Sequence, residues 1–225
     1  MQLKRFFFER HLAIWPKTLL IVLLMNLQAQ SQAPKRYLAL GDSYTIGESV
    51  TEAERWPNQL ANKLTKKGIA TDKPTIIATT GWRTDDLKNA ILKARLLPTY
   101  DLVSLLIGVN NFYQGRPIEQ YESEFADLLG IAIKLAAGNK ENVFVVSIPD
   151  YGFTPFGKPK QSQITAGIDK FNAVNKRISE ENGVAYYNIT DISRNGLDQP
   201  DLVANDGLHP SGKQYLRWVE RISLN

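Results

Sequence analysis

The chain has 225 residues, and 43% of them are hydrophobic. It contains no cysteine, and its formal net charge is +4 at pH 7. The lack of cysteine excludes a disulfide framework, a thiol nucleophile, a thiolate metal site and a lipid-modified cysteine. The length is typical of one domain whose core folds without cross-links.

The first thirty residues have the pattern of a secretory signal peptide. Basic residues precede an apolar run from Thr18 to Leu27, and a small, polar stretch follows it. This run is only half the roughly 20 apolar residues that a bilayer-spanning helix needs. We predict cleavage after Ala29, which leaves residues 30–225 as a single secreted or periplasmic domain. Cleavage after Ala33 and an uncleaved membrane anchor are the alternatives.

The predicted leader, residues 1–29, also carries most of the net charge. Its four Lys/Arg residues and one Glu account for +3 of the total of +4, so the mature protein is close to +1. No block of basic residues interleaved with aromatic residues remains. We therefore expect no nucleic-acid partner.

Five short runs that are apolar almost throughout alternate with longer amphipathic segments. The runs are Arg36–Leu40, Thr75–Ala78, Leu102–Ile107, Val143–Ile148 and Val184–Ile189. Such runs are typical of strands buried on both faces of a parallel sheet. Apolar residues at three- and four-residue steps predict helices from Ile118 to Leu135 and from Ile164 to Ile178. Thr84 is a predicted helix cap, and Pro210 is predicted to begin the last helix. The alternation predicts a three-layer αβα sandwich.

Four polar segments follow the predicted strands, at the edge where ligands gather in open parallel sheets. The segments are Gly41–Gly47, Thr80–Trp82, Gly108–Asn111 and Asn205–Pro210. His209 is the only histidine of the predicted mature chain, and Asp206 can orient one of its ring nitrogens. Together the segments supply a hydroxyl nucleophile, hydrogen-bond donors and a base with its orienting acid.

These segments resemble the signature blocks of a known enzyme family. Gly41-Asp42-Ser43, Gly81, Gly108-Val109-Asn110 and Asp206-Gly207-Leu208-His209 are similar to the four blocks of the SGNH (GDSL) hydrolases, serine esterases and lipases. The resemblance runs from Tyr37 to the C-terminus. It implies a flavodoxin-like α/β sandwich with a parallel five-stranded sheet, in which Ser43 is the nucleophile, His209 the base and Asp206 its orienting acid.

The resemblance also implies an oxyanion hole. Its donors would be the backbone N–H groups of Ser43 and Gly81 and the side-chain amide of Asn110. One position departs from the pattern, because Asn111 stands where the family usually has Asp. An uncharged side chain therefore replaces the carboxylate that braces this loop, and on this basis we expect Asn111→Asp to have a mild effect.

Each segment also has an ordinary structural interpretation. Gly-Asp-Ser and Asp-Gly are common turn sequences, and Asn110 and Asn111 are suited to local side-chain to backbone bonds. Their coincidence at the ends of predicted strands favours the catalytic interpretation. A metal site at Asp42, Asp206 and His209 is a weak alternative, because no second histidine lies near them. We expect neither a metal nor a cofactor.

Aromatic residues that follow the strands predict a substrate pocket, with packing under loops as the alternative. They are Trp82, Phe112, Tyr113, Tyr151 and Phe153. Residues 147–157 are predicted to be a long irregular loop that shapes specificity.

We expect a serine esterase that hydrolyses short-chain esters through an acyl-Ser43 intermediate, acting on a small-molecule, lipid or glycan ester. A thioesterase/lysophospholipase or a carbohydrate deacetylase is the alternative within the same fold. A non-catalytic glycan- or lipid-binding module is the alternative of another class.

Overall fold

The fold is built on one parallel sheet. The computed structural model describes residues 33–224. The strands are β1 (Tyr37–Gly41), β2 (Thr75–Ala78), β3 (Leu102–Leu106), β4 (Val143–Val146) and β5 (Ala185–Tyr187). They are hydrogen-bonded in the order β2-β1-β3-β4-β5, and every pair is parallel. The predicted leader lies outside the described residues, so its cleavage and the export it implies stay predictions.

Helices connect the strands and form two layers around the sheet. Within residues 33–224 the α-helices are α1 (Ser43–Ile46), α2 (Trp56–Lys66), α3 (Thr84–Lys93), α4 (Val109–Tyr113), α5 (Ile118–Leu135), α6 (Gln161–Glu181), α7 (Thr190–Ser193) and α8 (Gly212–Arg221). Short 3-10 turns lie at Glu52–Glu54, Lys140–Asn142, Tyr151–Phe153, Lys158–Lys160 and Pro200–Leu202. Helix α2 packs against α8, while α5 packs against α3 and α6. The predicted three-layer sandwich and its flavodoxin-like strand order are confirmed.

The centre of the sheet is buried, but its edges are not. Every residue of β1, β3 and β4 is buried. In β2 and β5 most residues are exposed or half-buried, because an edge strand has a neighbour on one side only. The expectation of full burial is therefore wrong for these two strands. β5 also ends at Tyr187 rather than Ile189, since the Asn188 side chain turns to accept the Thr190 N–H at 3.0 Å, at the start of α7.

The two long predicted helices are confirmed as α5 and α6, but the predicted start of the last helix is wrong. Helix α8 begins at Gly212, and the Ser211 hydroxyl accepts the Gln214 N–H at 3.2 Å as its cap. Pro210 instead lies in an isolated antiparallel bridge with Val203. Thr84 is the first residue of α3 rather than its cap, and the Asp86 carboxylate accepts the preceding Arg83 N–H at 3.1 Å.

Within the part of the chain that the structure describes, no helix has the length and apolar character needed to cross a membrane. The parallel order brings the carboxyl ends of β1, β2 and β3 to the same edge of the sheet. The polar segments that follow these strands therefore meet there.

Candidate active site

Ser43 lies directly beyond β1, as the first residue of α1. The turn between them is tight: a Cβ at Gly41 would lie 2.5 Å from the carbonyl oxygen of Leu106 on the neighbouring strand, so only glycine fits. Asp42 caps α1, because its Oδ1 accepts the Tyr44 N–H at 3.0 Å. This turn leaves the Ser43 side chain in the wall of a cavity at the sheet edge.

Asp42 itself is fully buried beneath Ser43. Burial raises the pKa of Asp42 to about 7, against the opposing effect of the Tyr44 N–H. Its second oxygen, Oδ2, has no hydrogen-bond partner among residues 33–224. Nor do three His, Asp or Glu side chains of these residues converge on a point where a metal ion would fit.

His209 and Asp206 form a hydrogen-bonded pair on the loop before α8. Asp206 Oδ2 lies 2.6 Å from His209 Nδ1, and Asp206 Oδ1 accepts the backbone N–H groups of Leu208 and His209, each at 2.9 Å. A carboxylate at this distance selects the tautomer with the proton on Nδ1. The lone pair of Nε2 is therefore available to accept a proton.

Two residues that the sequence did not single out connect the loop after α1 to both sides of the site. Ser49 donates its hydroxyl to Asp206 Oδ2 at 2.6 Å. Its neighbour Glu48 accepts the hydroxyl of Thr80, the residue before Gly81. Ser49 has a φ of +66°, a conformation that non-glycine residues rarely adopt. A single turn thus supports both the His209 loop and the Gly81 loop.

The hydrogen bonds to Asp206 also fix its charge. Partial burial alone would raise the pKa of Asp206, but donation from Ser49, His209 and the backbone outweighs that effect and holds the pKa well below its ordinary value. Asp206 is therefore a carboxylate at neutral pH, which is the state that the role expected from the resemblance requires.

Three donors surround the space beside Ser43. The backbone N–H groups of Ser43 and Gly81 donate to no acceptor within residues 33–224. Asn110 Nδ2 donates to the carbonyl oxygen of Trp82 at 2.9 Å, and an amide nitrogen has a second hydrogen to offer. Gly81 has a φ of +85°, which favours glycine at this point of the loop.

Asn111 turns away from this space and braces the start of α3. Its Oδ1 accepts the Thr84 N–H at 3.1 Å, and its Nδ2 donates to Thr84 Oγ1 at 2.7 Å. The Thr84 hydroxyl in turn donates to Glu124 on α5. Because a backbone N–H can only donate, the Asn111 atom that faces the Thr84 N–H is Oδ1. This fixes which atom donates in each hydrogen bond from Asn111 through Thr84 to Glu124. The amide of Asn111 is therefore a required donor and not merely a neutral copy of a carboxylate.

A cavity of about 310 Å³ collects these groups. Its lining residues are Ser43, Tyr44, Thr80, Gly81, Val109, Asn110, Tyr113, Tyr151, Phe156, Leu208 and His209. No hydrogen bond joins Ser43 Oγ to His209 within the described residues, although both line the same space. Catalytic hydrogen bonds of this kind often tighten only when substrate binds.

The predicted pocket residues divide into three groups. Tyr113 and Tyr151 line the Ser43 cavity, and Phe112 lines the cavity next to it. Trp82 and Phe153 line neither of the two. Trp82 is half-buried and packs against the core, which is the alternative that the sequence left open. Phe156 lies in the wall instead, and no periodicity in its irregular loop distinguishes it from Phe153.

The chain is similar to known proteins in sequence and in fold. The chain matches the GDSL-like Lipase/Acylhydrolase family over residues 39–217. It is 24% identical over 197 residues to an arylesterase from Vibrio mimicus, which covers 86% of this chain and 89% of the relative.

Solved structures share the fold. TesA superposes with a TM-score of 0.63 at 17% identity, over 83% of this chain and 95% of that one. Axe2, an acetylxylan esterase from Geobacillus stearothermophilus, superposes with a TM-score of 0.62 at 18% identity, over 83% and 93%. The match over residues 39–217 confirms the resemblance read from the four sequence blocks, and the chain belongs to the GDSL-like Lipase/Acylhydrolase family as a carboxylic ester hydrolase.

Proposed function

We propose that the protein hydrolyses carboxylic esters through an acyl intermediate on Ser43, with His209 as the proton carrier and Asp206 as its orienting acid. The observation that carries this proposal is the convergence of Ser43, Gly81, Asn110 and His209 on one cavity, with Asp206 bound to the far nitrogen of the His209 ring.

The first step forms the acyl intermediate. The lone pair of His209 Nε2 accepts the Ser43 hydroxyl proton as Oγ bonds to the ester carbonyl carbon, and the carbonyl oxygen becomes an oxyanion. Collapse of this tetrahedral species breaks the bond to the alcohol oxygen, which takes the proton from Nε2. The alcohol leaves, and the acyl group stays on Oγ.

The second step reverses these roles with water. Water gives a proton to Nε2 as its oxygen bonds to the acyl carbon, and a second oxyanion forms. Collapse breaks the bond to Oγ, which recovers the proton. The carboxylic acid leaves, and Ser43 is restored. Asp206 stabilises the imidazolium in both steps and stays ionised, in agreement with its lowered pKa.

The oxyanion needs donors that await it in both steps. The free N–H groups of Ser43 and Gly81 and the second amide hydrogen of Asn110 are suited to this role. One such donor lowers the barrier by roughly 3 to 4 kcal/mol in a well-formed site. The bond from Asn110 to Trp82 keeps the amide from rotating away.

The size of the cavity favours small substrates. A volume of about 310 Å³ is at the lower end of ligand pockets, which suits a short acyl group such as acetyl. The acetylxylan esterase among the similar proteins supports an acetyl group on a carbohydrate alcohol, and the arylesterase supports an aryl alcohol. A panel of aryl esters of increasing acyl length, beside acetylated xylo-oligosaccharides and acyl thioesters, separates these substrate classes.

The central experiment is covalent labelling with a fluorophosphonate. We expect one adduct per chain, located on Ser43 by peptide mass spectrometry, and none in Ser43→Ala. Ester hydrolysis by Ser43→Ala should fall by roughly 10⁴-fold or more, with the melting temperature unchanged because only one oxygen at the cavity wall is lost. An adduct on another residue, or activity within about tenfold of wild type, would rule out Ser43 as the nucleophile.

A further inference from the structure

A second cavity adjoins the one that contains Ser43. Its volume is about 610 Å³, and it shares the side chains of Tyr113, Tyr151 and Phe156 with the Ser43 cavity. The three rings contact one another, with centroids 6.3 to 6.4 Å apart. They form one aromatic wall that runs from the nucleophile into the second cavity. A substrate longer than a small ester would follow this wall.

Two basic residues line the second cavity. Arg116 lies on the loop between α4 and α5, and Lys160 ends the 3-10 turn before α6. Their backbones are fixed, since the Arg116 N–H donates to the Asn111 carbonyl at 2.8 Å and the Lys160 N–H to the Gly157 carbonyl at 2.9 Å. The two charges therefore come from separate, anchored elements.

No acidic side chain balances this charge. The lining of the second cavity contains no Asp or Glu. Among the ion pairs of residues 33–224, none involves Arg116 or Lys160, although Arg177 and Arg194 each pair with two carboxylates. Two positive charges that line one cavity attract an anionic ligand. This arrangement matches a ligand that brings the negative charge itself.

We propose that the second cavity is a subsite for an anionic group of the ester substrate, placed away from the scissile bond. Carboxylate, phosphate and sulfate share the required chemistry, because each offers oxygens to the guanidinium of Arg116 and the ammonium of Lys160. The apolar part between this group and the ester would lie on the rings of Tyr113, Tyr151 and Phe156. The proposal rests on the proposed function, since it extends the site built around Ser43.

The test uses pairs of esters that differ only in a distal charge. One pair carries a terminal carboxylate or its methyl ester on the acyl chain, and the other carries it on the alcohol. We expect wild type to prefer the anionic member of one of the two pairs, mainly through a lower KM. In the double variant Arg116→Ala/Lys160→Ala this preference should fall by about fivefold or more, as expected for two partly exposed ion pairs. Hydrolysis of the neutral member should stay within about twofold of wild type.

Lys158→Ala is the matched control. Lys158 belongs to the same 3-10 turn as Lys160 but lines neither cavity, so its loss should leave the preference intact. Added salt should weaken the preference of wild type and not that of the double variant. No preference for the anionic member of either pair, or a preference that the double variant keeps, would overturn the subsite.

These outcomes are separable from failure of the proposed function. If neutral esters are hydrolysed by wild type, are not hydrolysed by Ser43→Ala, and distal charge has no effect, only the subsite is wrong. If Ser43→Ala hydrolyses neutral esters as fast as wild type does, the nucleophile itself is wrong.

Discussion

The two sides of the Ser43 cavity are held in different ways. On one side both oxygens of Asp206 accept hydrogen bonds, two at Oδ1 and two at Oδ2 counting that from His209 Nδ1. On the other side Tyr113 and Phe156 are 60% and 52% exposed, and ring contacts are the interactions that join them to Tyr151. The side chains of Asp206 and His209 are thus held by directional bonds, whereas the side chains of the wall are held by ring packing, and one backbone bond, from the Phe156 N–H to the Gly207 carbonyl at 3.0 Å, anchors the loop that carries Phe156.

This difference separates chemistry from substrate choice. Directional bonds keep reacting atoms in one geometry, which is what lowers a barrier. Exposed rings adapt to different ligands at little cost. Substitutions on the hydrogen-bonded side should therefore lower kcat for every ester, while substitutions in the aromatic wall should change KM for some esters and not for others.

The largest effect that probes this separation is expected at Asn110. Asn110→Ala should lower kcat by roughly 100-fold or more with little change in KM, because its amide acts on charge that forms only in the transition state. Phe156→Ala is the matched comparison from the wall, with a raised KM for long or aryl esters and a nearly constant kcat. Steady-state kinetics on acetyl and longer aryl esters measures both. If Asn110→Ala changed KM as much as kcat, the proposed separation between the hydrogen-bonded side and the aromatic wall would be wrong.

The buried carboxyl group of Asp42, directly after the glycine that ends β1, makes the stability of the hydrogen-bonded side of the site depend on pH. In the folded protein its pKa is raised from 3.8 to about 7, so between these pH values the folded state holds a proton that the unfolded state has released. The free energy of unfolding contributed by Asp42 therefore falls as pH rises through this window, and it is constant above the window. The cost at high pH is on the order of a few kcal/mol.

Asp42→Asn removes this dependence. Its Oδ1 can still cap α1, and any cost from the amide that replaces the unpartnered Oδ2 is the same at every pH. The stability of the variant relative to wild type should increase between about pH 5 and pH 8, as measured by urea unfolding. A constant difference across that range would mean that Asp42 is ionised in the folded protein throughout.

The sequence predicted the parts of the site that follow from strand order. Ser43, Gly81 and Asn110 lie in the segments that follow β1, β2 and β3, and parallel strands bring such positions to one edge. Buried strands and long helices were also predictable, because their apolar residues repeat with a fixed period. The starts of helices were harder to predict, since the cap of α8 at Ser211 depends on a backbone turn that Pro210 does not reveal.

Residues whose role depends on tertiary contacts could not be predicted. Ser49 and Asp206 are 157 positions apart, and nothing in the local sequence indicates that they meet. Phe156 and Phe153 belong to the same irregular loop, and only its folded path decides which ring reaches the cavity. The role of Asn111 depends on Thr84 and Glu124, so from the sequence alone Asn111→Asp was expected to have a mild effect.

The hydrogen bonds around Thr84 reverse that expectation for Asn111. In Asn111→Asp, two carboxylates would compete for the single hydroxyl hydrogen of Thr84, and one buried acceptor would lose its donor. We expect the variant to be destabilised by about 1 to 3 kcal/mol in urea unfolding, with a smaller fall in kcat as the Gly81 loop loosens.

Glu124→Gln provides the matched control. Alone it should be mild, because a Gln oxygen can accept the Thr84 hydroxyl as Glu does. Combined with Asn111→Asp it should restore much of the lost stability, since the Gln amide can donate to Thr84 Oγ1 and the Thr84 hydroxyl can then donate to the new carboxylate. Additive effects in this double-mutant cycle would show that the donor-to-acceptor order of the Asn111–Thr84–Glu124 hydrogen bonds is unimportant for stability.

The smallest effect is expected at Ser49, which acts through Asp206 and is a positioning residue. Ser49→Ala removes one of the donors to Asp206 Oδ2, which is worth about 1 kcal/mol, or roughly fivefold in kcat, with KM unchanged. Ser49→Gly removes the same hydroxyl but suits the φ of +66°, so it should have the same kcat as Ser49→Ala and a higher melting temperature. The pair thereby separates the hydroxyl from the strained backbone. Recovery of wild-type kcat in Ser49→Gly alone would assign the effect to backbone strain, and unchanged kcat in both variants would mean that the Asp206 pair with His209 is sufficiently fixed without Ser49.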